Sequence, residues 1–186
     1  NREEIVRQLA ENTTDLTVLL RPPENLDTVA EAFAPQPHVI IAAPEHGLVR
    51  KRHISLQGLA NEAFIVREQG SDTRLAMEEL LAEFRVKFNI TMEIKSTETI
   101  KQAVIAGMGI SFLSAHTIGR ELGLGQLSVL DVEGFPVMRK WHIVHHKNKR
   151  LPPVAVAFKE FLLLEGAALI ERLVGRVTPK RRLRAG

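Results

Sequence analysis

The stretch STETIKQAVIAGMGISFLSAHTIGREL, residues 96–122, decides the fold class of this chain. Thr97–Thr99 is typical of a helix start, and apolar residues at helical spacing then predict a helix to Gly107. Gly109–Leu113 is apolar enough for a buried strand, and Ser114 predicts the cap of a second helix. A helix, a strand and a helix in so short a space favour an α/β protein.

The same alternation extends along the chain in both directions. Further strands are predicted at 15–20, 38–43, 63–67, 90–95, 127–131 and 138–146, and further helices at 2–12, 55–60, from 70–73 onward and from 152–153 onward. Thr28–Phe33 is either a turn or an edge element, and Gly166 predicts a break in the last helix. This order of elements indicates mostly parallel sheets.

Composition sets the class of protein. The chain has 186 residues, 45% of them apolar and 25% charged, which is ordinary for a globular protein of one large or two small domains. No apolar run reaches the roughly 20 residues of a membrane helix. The start of the sequence has no signal-peptide core, which favours the cytoplasm. Cysteine is absent, so thiol catalysis, disulfides and zinc–thiolate sites are excluded.

The net charge of +3 belongs to the end of the chain. Residues 176–186 contain five basic residues and no acidic ones, so the remaining 20 basic and 22 acidic residues carry −2. The body of the protein is therefore not expected to bind nucleic acid by charge alone. With almost no apolar content to anchor it, the segment after about Val177 is expected to be removable by proteases without loss of the core.

Three segments together resemble one family. GSDTRLAMEELLAEF (70–84), the stretch at 96–122 and KWHIVHHKNKRLPPVAVAFKEFL (140–162) follow the layout of the effector-binding domain of LysR-type transcriptional regulators. The helix–Ala-Gly-x-Gly-Ile–strand unit is the most specific of these similarities. Among such regulators the chain is most similar to the CbbR type, which controls Calvin-cycle carbon-fixation operons. The resemblance covers residues 1 to about 166.

The resemblance implies a periplasmic-binding-protein-like α/β fold of two subdomains with a cleft between them. Residues 1–43 plus 139–165 are then subdomain I, 44–138 are subdomain II, and 166–186 are a helix end and a basic tail. The family's DNA-binding domain and the first strand–helix–strand of its effector domain have no counterpart here, so subdomain I is expected to be incomplete.

The function implied is effector sensing and oligomerisation. By resemblance the effector is a small anionic metabolite: a phosphorylated sugar, a phosphoenolpyruvate-like acid or NADPH. A homodimer or homotetramer is expected, with DNA bound only through the absent N-terminal domain, no membrane and no cofactor. A periplasmic-type small-molecule binding protein is the alternative. No nucleophile elbow, P-loop or catalytic carboxylate pair points to an enzyme.

Gly70, Ser71, Asp72, Thr73 and Arg74 form the first candidate site. The unpaired N–H groups and the dipole of a helix start favour anions, and the resemblance places this helix start in the effector cleft. Ordinary helix capping is the alternative. The charge of Asp72 opposes an anion unless Arg74 compensates it.

Two further helix starts and one strand end complete the predicted site, and each has a purely structural alternative. The residues are Thr97, Glu98 and Thr99; Asn1 and Arg2; and Arg21. An arginine at a strand end can hold a phosphate with two hydrogen bonds. We expect Arg21→Ala to weaken effector binding by about 1.5–3 kcal/mol and Thr99→Ala by about 1 kcal/mol.

Two other motifs are weaker. Gly107-Met108-Gly109 lacks the third glycine of a dinucleotide fingerprint, because position 112 is phenylalanine. His142, His145 and His146 invite a metal site, but only His142 and His146 share a face of a strand. A solvated strand end is therefore favoured, and no metal is predicted.

Overall fold

The computed structural model describes residues 1–174, so the basic tail predicted to be protease-sensitive lies outside the described residues. Its helices are α1 Arg2–Ala10, α2 Asp72–Phe84, α3 Thr97–Ile105, α4 Gly119–Gly123 and α5 Pro153–Val174, with 3-10 turns at Gly47–Arg50, Gln57–Leu59 and Ala115–Thr117. Its strands are β1 Thr17–Leu19, β2 Thr28–Ala42, β3 Ala63–Arg67, β4 Asn89–Ile94, β5 Ser111–Ser114, β6 Ser128–Val129 and β7 Val137–His146.

The larger sheet has the order β1-β7-β2-β5, with β6 also paired to β2. Each of its pairings is antiparallel, whereas β3 and β4 pair in parallel. The expectation of mostly parallel sheets is therefore wrong for the described residues, although the α/β class is confirmed. The long strands β2 and β7 lie side by side in opposite directions, and local sequence patterns do not contain that long-range relation.

The strand β2 is a single element of 15 residues, where the sequence predicted a turn or edge element followed by a separate strand. Pro35 and Pro37 lie within this strand, and both pair with β7. Residues two positions apart in a strand direct their backbone N–H groups to the same edge. Proline has no N–H, so Pro35 and Pro37 both lack a donor on one and the same edge of β2. The strand β5, on the opposite edge from β7, pairs only with 38–41, so the prolines remove no bond to it.

The helix α5 runs without interruption through Gly166, so the predicted break there is wrong. Gly166 is required for packing, because a Cβ atom at this position would lie 2.8 Å from Cδ2 of Phe33 on β2. The ion pair between Lys159 and Glu31, at 2.6 Å, joins the same helix and strand. This glycine thus permits a close helix–strand approach and does not end the helix.

The end of β2 separates two apolar cores. Ile40 and Ala42 belong to the core that includes Phe64, and Val39 and Ile41 face the core that includes Ile100. This division follows from the two-residue alternation of a strand that is buried on both faces. A third, small core is formed by Leu9, Leu19 and Val144. None of the helices within residues 1–174 has the length and apolar character required to cross a membrane.

Candidate ligand-binding cleft

A cleft of about 290 Å³ lies where the end of β1, the first two turns of α2 and the start of β7 meet. Along α2, its lining residues lie at positions 72, 75, 76 and 79, a spacing of about one helical turn that places them on one face of the helix. The lining consists of Leu20, Arg21, Asp72, Leu75, Ala76, Glu79 and Arg139. The cleft thus joins three segments that are far apart in the sequence.

Glu79 holds two arginines across this cleft. Its Oε1 accepts a hydrogen bond from Nη1 of Arg21, and its Oε2 lies 3.0 Å from Nη2 of Arg139. Arg21 also donates from Nη2 to Glu24 at 2.9 Å, on the rim. The charges of these two guanidinium groups are therefore paired within the protein.

Asp72 forms a second connection across the cleft. Its Oδ2 accepts a hydrogen bond of 3.3 Å from the backbone N–H of Leu20, and its Oδ1 lies 3.1 Å from Nε of Arg2. That ion pair lacks the alignment of a hydrogen bond, so both of these buried atoms have no hydrogen-bond partner among the described residues. Burial raises the pKa of the Asp72 carboxyl above its ordinary value, although the Leu20 N–H and the arginines oppose the shift.

The starts of α1 and α2 lie against each other beside this connection. Asn1 caps α1 by accepting a 3.1 Å hydrogen bond from the backbone N–H of Glu4. Gly70 has a φ of +81°, and a Cβ atom there would lie 3.1 Å from Oε2 of Glu3 and 3.6 Å from Nδ2 of Asn1. The positive φ of this turn therefore favours glycine, and the absence of a side chain leaves room for Glu3 and Asn1 beside it.

The other predicted residues at the start of α2 are not equally placed. Ser71 is the N-cap residue and is buried, but its side chain forms no capping hydrogen bond. Thr73 is half-buried. Arg74 is buried and donates to Glu78 at 2.6 Å and to the carbonyl of Arg67 at 3.4 Å. Arg2 and not Arg74 therefore provides the cation paired with Asp72.

The start of α3 lies near that of α2 because β3 and β4, which precede these helices, are parallel neighbours. Ser96 and not Thr97 is the N-cap residue, accepting from the backbone N–H of Thr99 at 3.2 Å. Thr97 accepts a 3.1 Å hydrogen bond from Arg67, and Glu98 pairs with Lys101 at 2.7 Å. Thr97, Glu98 and Thr99 lie outside the lining of the 290 Å³ cleft.

Four residues of this region were missed by the sequence analysis: Glu3, Arg67, Glu79 and Arg139. Arg67 ends strand β3, so the argument that singled out Arg21 applies to it equally. Glu79 follows Asp72 by two helical turns, a spacing that was available in the sequence. Burial by itself would raise the pKa of Glu68, but the hydrogen bonds and charge of Arg67, together with a backbone hydrogen bond, outweigh it and hold the pKa below its ordinary value.

A second cavity, of about 640 Å³, lies beside α3 and α4. Lys101 is buried there and donates to Oε1 of Glu121 at 2.9 Å and to the Thr117 carbonyl at 3.0 Å. The other carboxylate oxygen of Glu121 is buried without a hydrogen-bond partner in the described part of the chain. This pair joins α3 to α4 and is separate from the cleft that contains Arg21.

The three histidines of β7 do not converge. His142 Nδ1 lies 3.1 Å from the carbonyl oxygen of Leu20, and His145 Nδ1 lies 3.0 Å from that of His146. His145 is buried, so the prediction of a solvated strand end is wrong for this residue. Within residues 1–174, no three His, Cys, Asp or Glu side chains are grouped as metal ligands would be.

Comparison with known proteins defines the family. The LysR substrate binding domain matches residues 1–167, and the chain belongs to this family. The α/β, periplasmic-binding-protein-like fold and the predicted LysR-type membership are thereby confirmed.

The curated relatives narrow the type. The chain is 47% identical over 169 residues to the HTH-type transcriptional activator CmpR of Synechocystis sp., covering 91% of this chain and 56% of that protein. It is 46% identical to the RuBisCO operon transcriptional regulator of Allochromatium vinosum, covering 93% of this chain and 57% of that protein. The resemblance to regulators of the CbbR type is confirmed. The chain spans little more than half the length of these relatives.

The solved structures agree with this grouping. The Synechocystis PCC6803 CcmR regulatory domain in complex with 2-PG matches with a TM-score of 0.83 and 35% identity, over 95% of this chain and 81% of that one. The effector binding domain of QuiR in complex with shikimate matches with a TM-score of 0.77 at 23% identity, over 87% of this chain and 76% of that one. The second similarity concerns the fold alone.

Proposed function

We propose that this chain binds a small anionic metabolite in the cleft and thereby controls transcription of carbon-fixation genes as part of a longer LysR-type regulator. The relatives that support the gene class include a RuBisCO operon regulator, and the CcmR domain that supports the ligand class carries 2-PG. The relatives are transcriptional regulators, so we assign the chain no catalytic activity. Family membership favours a regulator over a periplasmic-type binding protein.

The observation that carries the proposal is the meeting of cations from separate segments. Arg21 follows β1 and Arg139 lies near the start of β7, yet both line the cleft. Arg2, at the start of α1, adjoins it through Asp72 and through a 3.4 Å hydrogen bond to the carbonyl of Arg21. Guanidinium groups bind carboxylates and phosphates with paired hydrogen bonds. Such a cleft suits an anion better than an apolar ligand.

The same geometry provides a route from binding to a change of shape. An anion in contact with Arg21, Arg139 and α2 would connect the end of β1 and the start of β7 with the helix opposite them. Binding shifts the equilibrium between two arrangements of these segments only as far as the ligand binds one arrangement more tightly than the other. Residues 1–43 plus 139–165 and residues 44–138 are the two subdomains that we propose to move.

The volume of the cleft ranks the candidate ligands by size. A volume of about 290 Å³ is at the lower end of the range for small-molecule sites. It therefore favours 2-PG, a phosphorylated sugar or a phosphoenolpyruvate-like acid over NADPH. Of the residues predicted from the sequence, Arg21 and Asp72 line this cleft, and they are the ligand contacts that we propose first. The others are proposed as contacts only for a ligand that extends beyond the cleft: Asn1, Arg2, Gly70, Ser71, Thr73, Arg74, Thr97, Glu98 and Thr99.

The remaining parts of the proposal concern the whole protein. We propose a cytoplasmic homodimer or homotetramer that contacts DNA through a domain outside this chain. Two strands support self-association: β1 pairs with β7 alone among the described residues, and β4 lies at the edge of its sheet with Ile90 exposed.

Calorimetric titration of 2-PG and of NADPH into the 186-residue chain tests the ligand site. We expect Arg21→Ala to weaken 2-PG binding by about 1.5–3 kcal/mol, because a charge-assisted hydrogen bond is lost. Thr99→Ala, outside the cleft lining, is expected to lose less, about 1 kcal/mol or below. A larger loss in Thr99→Ala than in Arg21→Ala would move the site to the start of α3. Unchanged affinity in both variants would exclude the cleft.

A further inference from the structure

The most unusual feature of the cleft is that its two lining arginines already share one carboxylate. Glu79 uses one oxygen for Arg21 and the other for Arg139, at 3.0 Å. A ligand carboxylate or phosphate would approach the same guanidinium groups in the same way. We propose that Glu79 is a built-in competitor of the ligand, and that the ligand binds by displacing the Glu79 carboxylate from Arg21 and Arg139. This inference rests on the proposed function.

The position of Glu79 makes this exchange feasible. Its side chain is 38% exposed, so it can turn to water when displaced without being buried as an unpaired charge. Asp72 differs, because its side chain is only 16% exposed and its Oδ2 accepts from the Leu20 N–H. Asp72 is therefore expected to stay in place during the exchange, whereas Glu79 moves.

This arrangement selects among anions. A ligand must replace two charge-assisted contacts at once, since Glu79 contacts both arginines. An anionic group with two or more acceptor oxygens satisfies that requirement, and a doubly charged ligand compensates the two guanidinium charges better than a monoanion. Glu79 thus makes the cleft specific for doubly charged metabolites, because a singly charged acid gains less from the two arginines than is needed to displace the Glu79 carboxylate.

The test compares two glutamates that pair with the same arginine. Glu79→Gln removes the competing charge with little change of shape, and Glu24→Gln is the matched control, because Glu24 contacts Arg21 from a position that is 81% exposed. We expect Glu79→Gln to bind 2-PG about three- to tenfold more tightly, and Glu24→Gln to change the affinity less than about twofold. Acetate, a monoanion, should gain measurable binding in Glu79→Gln relative to the unmodified chain.

A second measurement separates competition from a structural role. The melting temperature without ligand should fall slightly in Glu79→Gln while the affinity rises, whereas a purely structural role would lower the melting temperature without raising the affinity. Equal affinities in the unmodified chain and in Glu79→Gln would overturn the competitor role and leave the proposed function standing. Absence of 2-PG and NADPH binding in the unmodified chain would overturn both.

Discussion

Replacing Lys101 by methionine is expected to be one of the most destabilising single changes of charge in this domain. The Lys101 side chain is only 5% exposed, and its ammonium group contacts Glu98 at 2.7 Å and Glu121 at 2.9 Å. It also donates to a backbone carbonyl at 3.0 Å, so three contacts use its three donors. The Glu121 side chain is 9% exposed, and removal of Lys101 leaves its buried carboxylate without its ion-pair partner, with Arg120 as the remaining nearby cation.

The magnitude follows from that unpaired carboxylate. Breaking a buried ion pair by removing one partner costs about 3–5 kcal/mol. The pair lines the open 640 Å³ cavity and is not fully enclosed, so we expect the lower end of this range, a fall of about 3 kcal/mol in the free energy of unfolding at pH 7. Lys147→Met is the matched control: Lys147 pairs with Asp27 at 3.5 Å with both side chains about 60% exposed, and its loss should cost less than about 1 kcal/mol.

The dependence on pH provides an independent check. Burial tends to raise the pKa of Glu121, but the hydrogen bond and charge of Lys101, together with a backbone hydrogen bond and the charge of Arg120, outweigh it and lower the pKa. A carboxyl with a lowered pKa contributes stability that is complete above its unfolded pKa, near 4.5, and is lost as the pH falls through the folded pKa. In Lys101→Met that contribution disappears and burial is expected to raise the pKa instead, so the cost of the substitution should begin to shrink above pH 4.5 and should shrink further below it.

Urea unfolding of both variants at pH 7 and at about pH 4 measures these differences. A double variant, Lys101→Met with Glu121→Leu, removes both charges and should recover most of the lost stability. If Lys101→Met costs no more than Lys147→Met at pH 7, the pair does not stabilise the domain and the reasoning from burial is refuted.

Three other outcomes follow from the structure. Gly109→Ala should lower the free energy of unfolding by at least about 2 kcal/mol in denaturant titrations, because its Cβ would collide with the backbone carbonyl oxygen of Ala63, whereas Gly123→Ala, with open space around it, should cost under about 0.5 kcal/mol. Burial raises the pKa of Asp72, so the folded protein loses stability when this carboxyl ionises as the pH rises through 3.8 and above. The free energy of unfolding of Asp72→Asn should therefore increase relative to that of the unmodified chain over this range. A change in the opposite direction would contradict the dominance of burial. Sedimentation at tens of micromolar should show a dimer or larger species, and a monomer alone would refute self-association.

Much of the local structure was determined by the sequence. The helix that follows Ser96, the strand at Ser111–Ser114 and the strand β3 all lie close to where apolar spacing and capping residues predicted them. These elements depend on interactions between residues only a few positions apart, which a pattern of periodicity contains. The family resemblance was accessible for the same reason, because the segment at 96–122 combines several such elements in a fixed order.

The candidate site was only partly predictable. Asn1, Arg2, Arg21, Gly70 and Asp72 were selected from the sequence as helix starts and a strand end, and the tertiary structure brings them together. The reason given for Arg21 does not hold, since β1 pairs antiparallel with β7 and the rule for parallel strand ends does not apply to it. Its place in the cleft depends on Glu79 and Arg139, which are distant in sequence.

What only the tertiary structure decided is which charges meet and which strands lie side by side. Three features join residues more than fifty positions apart or depend on such contacts: the antiparallel pairing of β2 with β7, the continuous helix α5, and the contact of Glu79 with two arginines. Gly166 illustrates the difference: its sequence context suggests a break, but the ring of Phe33 against it explains both the glycine and the unbroken helix. Local patterns record the conformational preferences of neighbouring residues, whereas partners across the fold are chosen by the packing of the whole chain.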